Sequence, residues 1–296
     1  RVKWAELFSH SLHLNSTPLS IAEIFGARIE GHARAWIFTS ATLSVNNDFG
    51  HYCGQMGLAD ARTASWASPY DFAEQALLCI PDRLPEPNTS EHTEAVVKAA
   101  LPVIEAAGGG AFLLFTSLRA MRNGYQLLRQ AFDARGLDYP LLTQGEGSRS
   151  EMLVRFRDLG NAVLVGSHSF WEGVDVRGEA LSLVVIDKLP FAPPDDPVLA
   201  ARIDRMNREG RSAFFEYQLP EAVIMLKQGA GRLIRDETDR GVLMICDPRL
   251  MSRSYGKRVL ASLPPMKLTR DVKEAAAFFT RRATPRPSAR PATTRK

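Results

Sequence analysis

Ala111-Phe112-Leu113-Leu114-Phe115-Thr116 is an apolar run that ends on a hydroxyl residue, and residues 118–134 behind it carry apolar side chains at helical spacing. A strand that is apolar on both faces belongs inside a parallel sheet, where helices cover it from either side. The same unit recurs outward in both directions. Residues 35–39, 76–80, 140–143, 162–166, 181–186 and 241–246 read as further buried strands. Residues 91–107, 149–159, 198–208, 220–233, 254–263 and 269–279 read as helices. This alternation predicts an α/β fold, a parallel sheet sandwiched by helices. Ligands of such sheets bind at the carboxyl ends of the strands. There the sequence places Ser40-Ala41-Thr42, Thr116-Ser117, Ser167-His168-Ser169, Asp187-Lys188 and Asp247-Pro248-Arg249. The run from Cys79 to Glu91, with prolines at 81, 85 and 87, breaks the pattern and reads as a connector between two sheets.

With 296 residues, 45% of them hydrophobic, the chain can bury one sizeable core, or one core and part of another. No apolar run approaches the ~18 residues of a membrane span, and the mixed-charge start Arg1–Glu6 is not a signal peptide. The opening residues, with Trp4, Leu7 and Phe8, read as helical, and the chain as a piece of a longer protein. The net charge of +4 is a property of one end: six of the 37 basic residues lie between Arg281 and Lys296, where there is no acid. Without them acids outnumber bases, 33 to 31. The Pro/Thr/Arg tail reads as a solvated, disordered terminus or as a sequence-independent phosphate contact, and bulk charge does not by itself establish nucleic-acid binding. Cys53, Cys79 and Cys246 lack metal-ligand spacing and read as buried free thiols of a reducing cytoplasm.

The chemistry concentrates in Gln228-Gly229-Ala230-Gly231-Arg232-Leu233-Ile234-Arg235. On an unbroken helix, turning about 100° per residue, Gln228, Arg232 and Arg235 share one narrow stripe. Gly229 and Gly231 weaken that helix by roughly 1 kcal/mol each, which close approach of a phosphate or another backbone would justify. Two guanidiniums on one face call for an anion opposite. The alternative is a surface helix whose arginines pair with Glu237 or Asp239. Asp195-Asp196, flanked by Pro194 and Pro197, reads as a helix-entry cap before it reads as a metal pair. His168 beside Ser169 has no acid in a triad-like context and no nucleophile elbow.

Gln-x-x-Gly-Arg-x-x-Arg at 228–235 resembles motif VI of superfamily 2 helicases. Ser169-Phe170-Trp171-Glu172-Gly173-Val174-Asp175 resembles motif V of the iron–sulfur helicases related to XPD, Ser40-Ala41-Thr42 their motif III and Leu114-Phe115-Thr116-Ser117 their motif IV, all in the right order. Within that group, Asp187 to Pro197 is similar to the DinG and YoaA branch. The resemblance covers roughly residues 30–268. It implies a RecA-like second motor domain over 91–280, preceded by the end of a first RecA-like domain (1–50) and a connector (51–90), and followed by the basic tail (281–296).

The resemblance also implies roles. Arg232 and Arg235 would reach the ATP phosphates across an interdomain cleft, Gln228 would sense the γ-phosphate, and Gly231 would let the phosphates approach. Glu172, Gly173 and Asp175 would link the nucleotide to the DNA track. Thr116, Ser117 and Ser169 would hydrogen-bond phosphates of single-stranded DNA, while Ser40 and Thr42 would couple domain closure to the DNA. Phe170 and Trp171 would pack beneath the motif V loop or stack on a base. The phosphate loop, the magnesium-binding acidic element and the four cluster cysteines of the family do not occur in this sequence. ATP and Mg would be shared with a first domain, and an iron–sulfur cluster would lie upstream. The implied activity is a cytoplasmic, ATP-dependent 5′-3′ DNA helicase in repair or replication, inactive as this portion alone and bound to no membrane. An RNA helicase motor is a rival, although Gln228 and Trp171-Glu172-Gly173 argue against it. So is a docking module whose end, residues 271–296, recruits a replication or repair protein.

Overall fold

The computed structural model describes residues 1–29, 34–167, 170 and 180–280. It opens with a hairpin, β1 (Val2–Leu7) against β2 (Leu12–Thr17), followed by α1 (Ala22–Ile29), α2 (Gly50–Met56) and the short α3 (Phe72–Gln75). The main body then runs β3 (Ala76–Cys79), α4 (His92–Ala107), β4 (Ala111–Leu114), α5 (Leu118–Arg135), β5 (Leu141–Thr143), α6 (Arg149–Leu159), β6 (Val163–Gly166) and β7 (Leu183–Ile186). It closes with α7 (Pro197–Arg208), a π-helical turn (Phe214–Gln218), α8 (Leu219–Ala230), β8 (Gly241–Ile245), α9 (Arg249–Ser252), α10 (Gly256–Ser262), β9 (Lys267–Thr269) and α11 (Val272–Thr280).

Seven strands form one sheet in the order β5-β6-β4-β7-β8-β3-β9, every described pair parallel. Successive side chains of a strand point to opposite faces, and here both faces are buried. Phe112, Leu114, Leu164, Val184, Ile186 and Leu243 pack with residues of α6, α8 and α10. Ala111, Leu113, Val165, Val185, Val242 and Met244 pack with α4, α5 and α11. The apolar runs therefore have the interior position their composition demanded. The free thiols of Cys79 and Cys246 are buried in the second layer, and burial, then Asp271 and Glu274, pushes Cys79 up to about 12.

Three expectations need correction. Residues 35–39 form no strand and Ile37 is 82% exposed, so an apolar run without a partner sheet does not become one. Trp4, Leu7 and Phe8 lie in or beside the opening hairpin rather than a helix. The helix read over 254–263 is α10 alone, with α9 before it, and the one over 269–279 starts only at Val272, because Lys267–Thr269 first pairs with β3. The strand read over 76–80 is present as β3, flanked by β8 and β9.

The glycine run 108–110 is architectural. All three residues have positive φ, and a Cβ on Gly109 would lie 2.0 Å from the carbonyl oxygen of Asn161. Only glycine fits that approach between the turns leading into β4 and β6. Asp196 caps α7 by accepting from the Leu199 amide at 2.7 Å, with Pro197 in the first turn, as the cap reading expects.

Candidate functional site

The helix α8 begins with Pro220 and Glu221 in its first turn, where a missing N–H and a negative charge are favourable. Leu219, Ala222, Val223, Leu226 and Ala230 fasten it to the sheet. The helix ends at Ala230, so the stripe read for Gln228, Arg232 and Arg235 does not exist as a continuous helical face. The Gly231 amide still reaches Lys227 O at 2.8 Å, but the Arg232 and Leu233 amides close tighter turns onto Gly229 O and Ala230 O. Gly231 caps the helix with ordinary right-handed backbone, and a Cβ there would meet Lys227 O at 3.2 Å. Leu233 and Ile234 then turn into the core, which leaves Arg232 and Arg235 to flank two buried anchors.

The far side of this turn is held by groups no local pattern shows. Tyr70 Oη donates to the carbonyl oxygen of Arg235 at 2.6 Å. Gln75 Nε2 lies within 2.9–3.1 Å of the carbonyl oxygens of Asp236, Glu237 and Asp239. Asp239 Oδ2 accepts from the amides of Arg235 (2.7 Å) and Asp236 (2.8 Å). Asp239 thus orders the backbone that presents the arginines. Beside Lys227, the Gln228 Oε1 atom is buried and has no hydrogen-bond partner among the described residues.

The motif III residues fold on themselves: the Thr42 amide donates to Ser40 Oγ at 3.2 Å, and their hydroxyls are 3.3 Å apart. Two residues on, Ser44 O accepts from Lys227 Nζ at 2.9 Å. The chain therefore brings the 40–44 segment to the C-terminal end of α8, beside Gln228.

At the carboxyl end of β4, Thr116 donates from its amide to Asp187 Oδ1 (3.0 Å) and from its hydroxyl to Asp187 Oδ2 (3.3 Å). Both donors of Thr116, expected to face a phosphate, are here met by the Asp187 carboxyl. Ser117 caps α5, its hydroxyl accepting from the Ala120 amide at 3.2 Å; its own proton stays available. Asp187 is buried, and desolvation pushes its carboxyl up to about 7 against the Lys188 charge and the hydrogen bonds from Lys188 and Thr116. His92, also buried, bridges the Asp187 and Pro85 carbonyls, 3.0 Å from each. Asp247 takes both ends of the Arg249 guanidinium (2.7–3.2 Å) and the Leu189 amide at 2.7 Å. The Asp187–Leu189 loop is thereby pinned to the end of β8.

Of the motif V candidates, Ser169, Glu172, Gly173 and Asp175, together with Trp171 and His168, lie outside the described residues. Their entrance is described: Ser167 donates from amide and hydroxyl to Gln144 Oε1, both at 2.8 Å, and Phe170 is 2% exposed against Gly166. Phe170 is thus a packing residue.

The helicase C-terminal domain family matches residues 100–266, more than half of the chain. The chain belongs to that family. A helicase C-terminal domain of this kind has the RecA-like parallel sheet described above. Over 276 residues it is 48% identical to the Escherichia coli protein named ATP-dependent DNA helicase YoaA, spanning 93% of this chain and 43% of that one. The Mycobacterium tuberculosis protein named ATP-dependent helicase DinG is 36% identical over 275 residues, 91% of this chain and 40% of that one. A solved XPD apo structure aligns over 67% of this chain and 40% of its own, with 21% identity and a TM-score of 0.47. The chain spans well under half the length of the curated relatives it matches. Among the described residues no helix is long and apolar enough to cross a membrane.

Proposed function

We propose that this chain is the C-terminal motor portion of an ATP-dependent DNA helicase that tracks single-stranded DNA from 5′ to 3′ in repair or replication. The observation that carries the reading is the 228–235 turn. Two arginines flank buried anchors on a backbone that Asp239, Tyr70 and Gln75 hold from the other side. A backbone already held in place suits charge that develops during phosphoryl transfer, because the arginines it carries then need little reorganisation at the moment of reaction.

In this reading a first RecA-like domain of the longer protein holds ATP and Mg, which supply the phosphoryl group and its charge neutralisation. The residues present fit their half of that site. Arg232 and Arg235 reach to the phosphates, Gly231 allows the approach, and Gln228 reads the γ-phosphate side by donating from Nε2, while its buried Oε1, without a partner among the described residues, is open to the proton of a water. Ser117, with Ser169, contacts DNA phosphates, and Thr116 holds the end of β4 through Asp187. Glu172, Gly173 and Asp175 join the two ligands, and Ser40 and Thr42 couple domain closure to the strand. The iron–sulfur cluster implied by the resemblance belongs upstream of Arg1.

The test uses the full-length protein and this chain side by side. The full-length protein hydrolyses ATP in response to single-stranded DNA and unwinds DNA duplexes; Arg235→Ala lowers that hydrolysis by about a thousandfold. The 296-residue chain alone turns over no ATP. Turnover by the chain alone, or equal unwinding of RNA and DNA duplexes, overturns the reading.

A further inference from the structure

Residues 44–51 lie along α8 rather than free in solvent, and three separate contacts hold them. At the C-terminal end of the helix, Lys227 Nζ donates to Ser44 O at 2.9 Å. Toward its start, His51 Nε2 meets Glu221 Oε1 at 2.7 Å, and His51 Nδ1 lies 3.2 Å from the carbonyl oxygen of Glu216 in the preceding π-helical turn. Glu221 and Lys227 are six positions apart, about 9 Å of helix, so the segment spans about half the length of the 12-residue α8.

Between these ends the chain makes a two-residue reversal. Val45 and Asp48 exchange backbone hydrogen bonds at 2.9 and 3.0 Å, while Asn46 and Asn47 adopt φ of 53° and 61°. That is a turn with both central residues left-handed, which asparagine tolerates better than most side chains. The reversal drives Val45 into the same hydrophobic layer as α8, with 4% of its surface exposed. Among the described residues of 1–69, Val45 alone belongs to the buried set of that layer.

The helix so gripped carries Gln228 and leads into Gly231–Arg235, and the segment gripping it leads back to Ser40 and Thr42. We propose that residues 44–51 are a brace along α8 that transmits displacement of the Gln228–Arg235 turn to Ser40 and Thr42, with Lys227 as its positioning residue. The proposal rests on the helicase reading above. Lys227 suits the task because it is half-buried and its ammonium, at the end of a long flexible stem, reaches the Ser44 carbonyl. Burial holds its pKa below the usual lysine value, so the Ser44 contact is made in a partly desolvated setting where an amine–carbonyl bond has more effect.

The experiment is done in the full-length protein carrying this chain. Lys227→Met removes the ammonium and keeps the stem; Lys227→Arg keeps a donor. Duplex unwinding and DNA-stimulated ATP hydrolysis are measured on the same preparations, with hydrogen exchange at the Val45 and Asp48 amides as a direct readout of the brace. In Lys227→Met, unwinding drops by about tenfold while hydrolysis stays within about twofold, both amides exchange faster, and Lys227→Arg retains unwinding. Val45→Ala, which loosens the same brace from its other contact, gives the same split and stands in if Lys227→Met does not fold. Parallel loss of both activities, or unwinding at the wild-type level with faster exchange, overturns the brace. A wild-type protein that unwinds no DNA overturns the helicase reading itself, an outcome separate from a wild type and a Lys227→Met variant that unwind equally.

Discussion

Tyr70 Oη donates to the backbone carbonyl of Arg235 at 2.6 Å, across 165 residues of sequence. The phenol is half-buried and rests edge-on against Phe72, which sits in the short helix before β3. The carbonyl that ends the arginine-bearing turn is thus anchored by the segment that starts the sheet. Tyr70→Phe keeps the ring and removes the donor, so it costs about 1 kcal/mol of stability by urea denaturation. In the full-length protein it lowers the rate of ATP hydrolysis more than the KM for ATP, since the arginines are misplaced rather than removed. An unchanged rate would mean that the turn keeps its geometry without Tyr70.

Gln75 has a harsher prediction. Its amide serves the carbonyls of Asp236, Glu237 and Asp239, and it is buried. Gln75→Leu leaves those acceptors facing an apolar side chain, at about 1–3 kcal/mol, a loss at least as large as that from Tyr70→Phe. The urea midpoints of the two variants measured together check the ranking.

Asp187 predicts a pH dependence of opposite sign to the usual carboxylate. Its folded value is raised to about 7 by burial, whereas an unfolded aspartate titrates near ~3.9. Stability contributed by the neutral carboxyl is fully present below the unfolded value and is lost as pH rises through the folded one. In Asp187→Asn the amide oxygen can still accept from the Thr116 and Lys188 amides, and its NH2 can face the Thr116 hydroxyl. The difference in unfolding free energy between wild type and Asp187→Asn therefore shifts in favour of the variant between pH 4 and pH 7. A difference that is flat over that window would show that water reaches the carboxylate.

Gly109→Ala tests the close approach at Asn161. The added methyl would lie 2.0 Å from a backbone oxygen at a residue with φ of 88°, so strain and clash act together. The loss exceeds about 2 kcal/mol. Gly108→Ala, with a positive φ but nothing within 4 Å of the new methyl, loses less. Thermal melts of the pair separate steric from conformational cost.

The centre of the sheet was legible because β4, β6, β7 and β8 are apolar on both faces, and a run with that composition has few other places to go. β9 was not, since Lys267 and Leu268 are exposed at the sheet edge and three residues show no period. Residues 35–39 failed for the opposite reason: the apolar pattern is present but its partner surface is not among the described residues. In the site, the residue types at 228–235 pointed to anion chemistry, yet the helical wheel assumed a helix that stops at Ala230. Tyr70, Gln75 and Asp239 escaped altogether, because their contacts run to backbone atoms, and nothing in a sequence records which carbonyl a side chain meets. The proton bookkeeping at Thr116 escaped likewise, being set by Asp187 71 residues away.

The position of β3 has a consequence for how the chain is made. Its two sheet neighbours are β8 and β9, beginning at Gly241 and Lys267, while β3 begins at Ala76. On a ribosome adding about 5–20 residues per second, β3 emerges many seconds before either neighbour exists. For that interval Ala76-Leu77-Leu78-Cys79, buried in the finished sheet, offers unpaired amides and apolar side chains to any passing strand. β4, β5, β6 and β7 can already pair among themselves, so the sheet grows from its middle and accepts its earliest strand among the last. Synthesis halted anywhere before Gly241 would leave a half-built sheet with a sticky segment upstream of it, a natural client for chaperones and proteases.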